Sequence, residues 1–390
     1  MYDLIIKGPK IYQENAVIAD GTLAIADGKI KLVGCVDESI AAAKTLTFPA
    51  NWHLIPGMID IHIHGGYGCD VMDGELIGLE KISKNLPAEG VTSFLATTMT
   101  MGKEKIEKAL ITAANYKNAR NSSVASELLG VNLEGPFIAP KKACAQEPKN
   151  ILTPSIALFE HWQNLAKNSI KIVTLAPEID GNLEMARYLT RHGVVVSFGH
   201  SDADYECGRA AIKAGYSHVT HLFNAMRNFH HREPNAVTAF LLDKNSSVEV
   251  IVDGIHLHPA ILQLVFTLKG ADNIVLISDA MRAKGIRDGI YEFGGHQVTA
   301  KDGQVRLADG ALAGSILQLD AAVRNMLNYT SCSFAEVLKM VTSNPAKKIG
   351  VFERKGSIAL NKDADLVILN EKYKVMLTLC KGRIAYERRT

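Results

Sequence analysis

The sequence offers little that would staple or anchor a fold. Its six cysteines (Cys35, Cys69, Cys144, Cys207, Cys332 and Cys380) are scattered, and no two form a Cys-x-x-Cys pair. That argues against a structural zinc knuckle and a disulfide framework, and it suits a reducing compartment. No apolar run approaches the roughly 20 residues needed to span a bilayer. The amino terminus, Met1-Tyr-Asp-Leu-Ile-Ile-Lys7, lacks the basic region and long apolar core of a signal peptide. A formal net charge of only +2 gives no reason to expect a nucleic-acid or membrane partner. Internal repeats and low-complexity segments are also missing. The expectation is a cytoplasmic globular protein.

What is present points to a large enzyme-like domain. A chain of 390 residues is too long for one small core. Short apolar runs recur through its middle, and strands are predicted over 55–64, 91–99, 128–137, 170–177, 193–200, 217–223, 248–256 and 273–280. Several are nearly continuous apolar runs, as in strands buried on both faces of a parallel sheet. Amphipathic stretches such as 103–110 and 203–213 lie between them. Eight strands alternating with helices predict an α/β fold, a TIM-type (β/α)8 barrel, over 54–346. The flanks, 1–53 and 347–390, show alternation and turn signals, and are expected to join in one small β-sandwich domain. A β-hairpin insertion is expected near 291–307.

A barrel's chemistry gathers where its strands end. Here those ends carry His62 and His64, Glu134, His200, His221, His256 and Asp279. In a strand, residues i and i+2 face the same way, so His62 and His64 project together. Such groups are rarely buried unpaired, so this many at six strand ends are hard to explain as solvated edges. The set is imidazole and carboxylate without thiolate, which suits Zn²⁺, Fe²⁺, Mn²⁺ or Co²⁺. It exceeds one tetrahedral ion's need, so two neighbouring ions are the natural reading. Glu134 is then a candidate bridge, and Asp279 a candidate for both ligand and base. A metal-activated water makes hydrolysis the expected reaction class.

The motifs Pro56-Gly-Met-Ile-Asp-Ile-His-Ile-His-Gly-Gly66, Leu133-Glu-Gly-Pro-Phe137, Phe198-Gly-His-Ser201, Thr220-His-Leu-Phe-Asn-Ala-Met226, His230-His-Arg-Glu-Pro234, Val252-Asp-Gly-Ile-His256, Ser278-Asp-Ala280 and Asn344-Pro-Ala346 occur in this order. Together they resemble the amidohydrolase superfamily, and within it the N-acetylglucosamine-6-phosphate deacetylase family. The resemblance implies metal-dependent hydrolysis of the acetamide of N-acetyl-D-glucosamine 6-phosphate, as in amino-sugar catabolism or recycling. It implies that Glu134, His200 and His221 hold the better-retained ion, while His62, His64 and Asp279 help hold a second. It further implies Asp279 as proton shuttle and His256 as a substrate hydrogen-bonding group; otherwise His256 is a loop histidine making backbone contacts. Arg232 and the backbone around Asn224 and Ala225 are implied for the phosphate. In relatives that arginine can reach the neighbouring subunit's site, so a homodimer is expected. A surface ion pair with Glu233 is the other reading of Arg232. Relatives commonly carry a substrate-touching histidine where this chain has Gln146, in Lys141-Lys-Ala-Cys-Ala-Gln146. Gln146 is expected to supply that hydrogen bond; otherwise the contact is absent and sugar preference shifts. The rivals are an amidohydrolase for another N-acyl amine and a non-catalytic scaffold.

Overall fold

Apolar runs too short for helices, each followed by an amphipathic segment, pair here into one parallel sheet. In the computed structural model, which describes residues 1–35, 40–119 and 124–389, its strands are β1 (Met58–Ile63), β2 (Val91–Thr97), β3 (Glu127–Glu134), β4 (Ile170–Leu175), β5 (Val195–Phe198), β6 (Tyr216–Val219), β7 (Ser247–Ile251) and β8 (Ile274–Ile277). Each pairs in parallel with the next in sequence. The ends meet through a parallel bridge between Ile63 and Ala280, with the His64 N–H donating to the Ala280 carbonyl at 2.9 Å. Every residue of β1, β2, β7 and β8 is buried, so the polar members Asp60, His62 and Glu249 face a packed interior and not solvent.

Helices pack outside this barrel. Tyr205–Ala214 shows how the sequence sets one: the Asp204 side chain accepts the Cys207 N–H at its start, and Gly215, at φ 108°, closes its end. The Asn344 carboxamide donates to the Ala271 and Ile274 carbonyls at 2.7 and 2.8 Å. The Asn344-Pro-Ala motif thus closes the amino end of β8, far from the polar strand ends.

Both chain ends contribute to two further sheets around one apolar core that includes Ile6, Leu23, Leu54, Leu366 and Leu377. One sheet has four strands, from Tyr2–Lys7, Thr22–Ala26, Lys29–Gly34 and Ala42–Thr47. The other has six, in which His53–Pro56 pairs antiparallel with Leu366–Leu369 and parallel with Lys10–Tyr12. The run over 55–64, predicted as one strand, therefore divides at Gly57. There the chain leaves the terminal sheet and enters the barrel: the Gly57 N–H donates to the Asp365 carbonyl at 2.8 Å, and the Met58 N–H to that of Gly90 at 3.0 Å.

The expected hairpin near 291–307 is a three-stranded antiparallel sheet, Gly289–Phe293, His296–Lys301 and Gln304–Leu307. Its apolar face (Phe293, Val298, Val305) packs on Met99, Met101 and Met281. Among the described residues, no helix is long and apolar enough to cross a membrane.

The crossing at Gly57 generates a stability prediction. A Cβ there would lie 2.1 Å from Thr92 Oγ1. Gly57→Ala should lower unfolding free energy by about 1–3 kcal/mol, and adding Thr92→Ala should recover part of that loss in denaturant titrations. An unchanged midpoint for Gly57→Ala would show that the contact does not constrain the crossing.

Candidate active site

The polar strand ends converge at the carboxyl end of the barrel. His62 and His64 come from β1 and the residue after it, Glu134 closes β3, and His200, His221 and Asp279 lie just beyond β5, β6 and β8. These last three have φ of 48°, 28° and 47°. Their left-handed backbone turns the chain inward, so β5, β6 and β8 stop short of their predicted ends. Asp and His tolerate this region better than branched residues, and such strain gathers at functional sites. Gly135, at φ 71°, continues the turn after Glu134, and a Cβ on it would sit 2.1 Å from Thr100 Oγ1.

Six side chains form two groups, His62 with His64 and Asp279, and Glu134 with His200 and His221. Within each group the nearest ligand atoms lie within 4.8 Å of one another. Glu134 joins the groups: its Oε1 lies 2.9 Å from His221 Nε2 and 3.2 Å from His200 Nε2, and its Oε2 lies 3.3 Å from His64 Nε2. Asp279 Oδ1 is 3.2 Å from His64 Nε2 and 3.5 Å from His62 Nε2. His62 and His64 face each other through Nε2 at 3.3 Å, and His200 and His221 do so at 3.2 Å. Two imidazole lone pairs at that separation need a proton or a cation between them. The donor set therefore fits a divalent cation, and its nitrogen and oxygen character fits zinc, iron, manganese or cobalt.

The field at the site is strongly negative. Burial disfavours charge on His62 and His64, yet the carboxylates of Glu249, Glu134 and Asp279 outweigh it, raising His62 to about 9. Hydrogen bonds and charge from Asp279 and Glu134 likewise raise His64 to about 10. In return the imidazoles overcome burial at Glu134, which is held well below the usual carboxylate range, and at Asp279, which is lowered too. A field that retains protons on buried imidazoles also attracts a metal ion in their place.

A cavity of about 440 Å³ opens over both groups, lined by His256, Gln146, Asn224, Ala225, Lys141, Lys142 and Phe293 among others. The Asp253 carboxylate holds His256 Nδ1 at 2.6 Å and accepts the backbone N–H groups of Ile255 and His256, which leaves Nε2 as the ring nitrogen for a ligand. The Asn224 N–H is engaged with the His221 carbonyl, and its carboxamide with those of His221 and Leu222. Gln146 departs from its expected role. Its Oε1 accepts the Thr100 N–H and its Nε2 donates to Glu134 Oε2 at 2.9 Å, so the amide holds Glu134 instead of reaching toward a sugar. Arg232 is exposed and not among the cavity-lining residues; its guanidinium lies 2.9 Å from His231 Nε2.

Two groups at the site have no motif of their own in the sequence. The Lys142 carbonyl takes His200 Nδ1 at 2.8 Å, and Glu249 Oε2 takes His62 Nδ1 at 2.8 Å. Glu249 does leave a trace, as a lone charge within the apolar run Val248-Glu-Val-Ile251. A carboxylate inside a buried strand requires a partner.

Known proteins share this architecture. A Bacillus subtilis N-acetylglucosamine-6-phosphate deacetylase is 48% identical over 385 residues, 98% of this chain and 97% of the relative. An N-acetylgalactosamine-6-phosphate deacetylase from Escherichia coli O157:H7 is 36% identical, covering 98% of this chain and 99% of the relative. A crystal structure of the Mycobacterium smegmatis N-acetyl-D-glucosamine-6-phosphate deacetylase, an aspartate-to-alanine variant in complex with N-acetyl-D-glucosamine-6-phosphate, superposes with a TM-score of 0.92 at 28% identity. That match covers 99% of this chain and all of the other. The sequence profile of the amidohydrolase family matches residues 53–385. On its ligand geometry, its barrel and these matches, the chain belongs to the amidohydrolase family.

Proposed function

We propose that the chain hydrolyses the acetamide of N-acetyl-D-glucosamine 6-phosphate, releasing D-glucosamine 6-phosphate and acetate with one or two divalent ions. The observation that carries this reading is Glu134, a buried carboxylate shared by two ligand groups beneath one cavity. The near full-length likeness to a relative of that name supports the choice of substrate.

Glu134, His200 and His221 would hold one ion, and His62, His64 and Asp279 a second. When bound, such an ion polarises the acetamide carbonyl and makes a water acidic enough to attack at neutral pH. Asp279, kept ionised by its imidazole neighbours, takes the proton of that water at Oδ1 and returns it to the departing amine. His256, held by Asp253, offers Nε2 to the substrate. Phe293 covers one side of the cavity and limits water there. Lys141 and Lys142 supply cationic charge at the rim for the phosphate, together with the backbone at Ala225. Arg232, exposed and outside the cavity of its own chain, would serve the phosphate from across a homodimer. The N-acetylgalactosamine epimer is the second reading, favoured by the E. coli relative.

Amine release should be measured on both epimeric sugar phosphates and on unphosphorylated N-acetylglucosamine, before and after chelation and with metal restored. Faster turnover of N-acetylglucosamine 6-phosphate, lost on chelation and regained with metal, is expected. A preference for the galactose epimer would establish the second reading. A folded, metal-loaded protein inert on both sugar phosphates would overturn the assignment. Asp279→Asn should fold normally and lose about 10²–10⁴-fold in kcat, the range for a positioned proton shuttle; near wild-type kcat would remove Asp279 from that role.

Metal binding is also linked to pH. Without an ion, the surrounding carboxylates raise His62 to about 9 and His64 to about 10, so the pair retains a proton at neutral pH. An ion entering there must displace it, so calorimetry in buffers of different ionisation heat should show proton release from this pair. Affinity should rise with pH until about 10 and then level off. Binding without proton release would show that the pair does not ligate the ion.

A further inference from the structure

Glu249 sits in the middle of β7 with no exposed surface. Its Oε2 accepts from two donors, His62 Nδ1 at 2.8 Å and the His221 backbone N–H at 3.0 Å. Its Oε1 pairs with His218 Nε2 at 3.1 Å, and His218 Nδ1 bonds Ser247 Oγ at 2.7 Å. A carboxylate this deep in an apolar barrel carries a large desolvation cost, so a purely structural site would be better filled by an aliphatic side chain. Its contacts explain the retention. By taking Nδ1–H of His62 it fixes the tautomer in which the Nε2 lone pair faces His64 and Asp279, and it raises the basicity of that ring. The same oxygen also holds the backbone of His221, which sits at φ 28° and belongs to the other ligand group. One carboxylate oxygen therefore touches both groups from beneath.

We infer that Glu249 is a positioning residue that keeps the His62–His64–Asp279 group competent for a second ion and ties it to the Glu134–His200–His221 group. This rests on the two-ion reading. Its effect passes through His62, which turns toward the site only while Nδ1 is held. A glutamine there can still accept from His62 and His221 through its carbonyl oxygen, but it carries no charge. An alanine removes both the orientation and the charge.

The test is zinc binding by equilibrium dialysis to wild type, Glu249→Gln, Glu249→Ala and His218→Asn, with circular dichroism and thermal melts as checks on folding. His218→Asn breaks the other half of the Glu249 network and leaves the His62 contact in place. Wild type should hold two ions per chain. Glu249→Gln should remain folded and weaken the second ion by about 10–100-fold with the first nearly unchanged, while His218→Asn retains both. Glu249→Ala, if folded, should lose the second ion altogether. Two ions held by Glu249→Gln with wild-type affinity would overturn the inference. So would equal losses of both ions in Glu249→Gln and His218→Asn, in step with their melting temperatures, because that pattern marks a structural role alone. A wild type that binds a single ion would refute the two-ion reading itself, and with it this role, before any variant is compared.

Discussion

A buried carboxylate at the mouth of the barrel sets the conditions that the rest of the structure meets. Glu134 is almost fully enclosed and must be surrounded by donors or cations. His64, His200 and His221 reach it from three separate segments, and Gln146 donates from a loop to Oε2, the oxygen that also faces His64. Such convergence requires the ends of β1, β3, β5 and β6 to point their side chains into one interior, as the closed parallel barrel does. Closure between Ile63 and Ala280 brings Asp279 beside His62 and His64. The left-handed backbone at His200, His221 and Asp279 is the local consequence, since each chain must turn sharply inward after its strand.

The supporting contacts form a layer beneath that centre. Glu249 orients His62, the Lys142 carbonyl orients His200, and Asp253 orients His256. Each fixes which ring nitrogen faces the cavity, a choice the ligand residues cannot make alone. Above the centre, the three-stranded insertion closes one side through Phe293, whose ring lies 5.2 Å from that of His64. The apolar contacts of Phe293, Val298 and Val305 with Met99, Met101 and Met281 hold that cover in place.

Much of this was legible in the sequence for physical reasons. Strands buried on both faces read as apolar runs, and a polar residue closing such a run has few explanations beyond a site. His62, His64, Glu134, His200, His221 and Asp279 all carry that signature, and the structure brings them together. The break at Gly57 was not legible, because the residues on either side of it are apolar and only the fold brings up the two backbone partners, Asp365 and Gly90, that divide the run. Gln146 was placed in the site by its position in the chain, but the direction of its amide depends on Thr100 and Glu134, which only the fold brings near. Glu249 showed only as a lone charge in an apolar run, and its role was not legible because the partners that explain it lie 187 and 28 residues away in the chain. The exposed position of Arg232 likewise follows from where the 227–234 loop folds, which local residue types do not dictate.

The most direct test of Glu134 as the shared centre is anomalous diffraction from zinc-soaked crystals, recorded on both sides of the zinc edge. Two peaks roughly 3.5–4 Å apart, one against His200 and His221, the other against His62 and His64, with Glu134 in contact with both, are the predicted result. Ions bound with no contact to Glu134, or none among these six side chains in zinc-loaded protein, would contradict it.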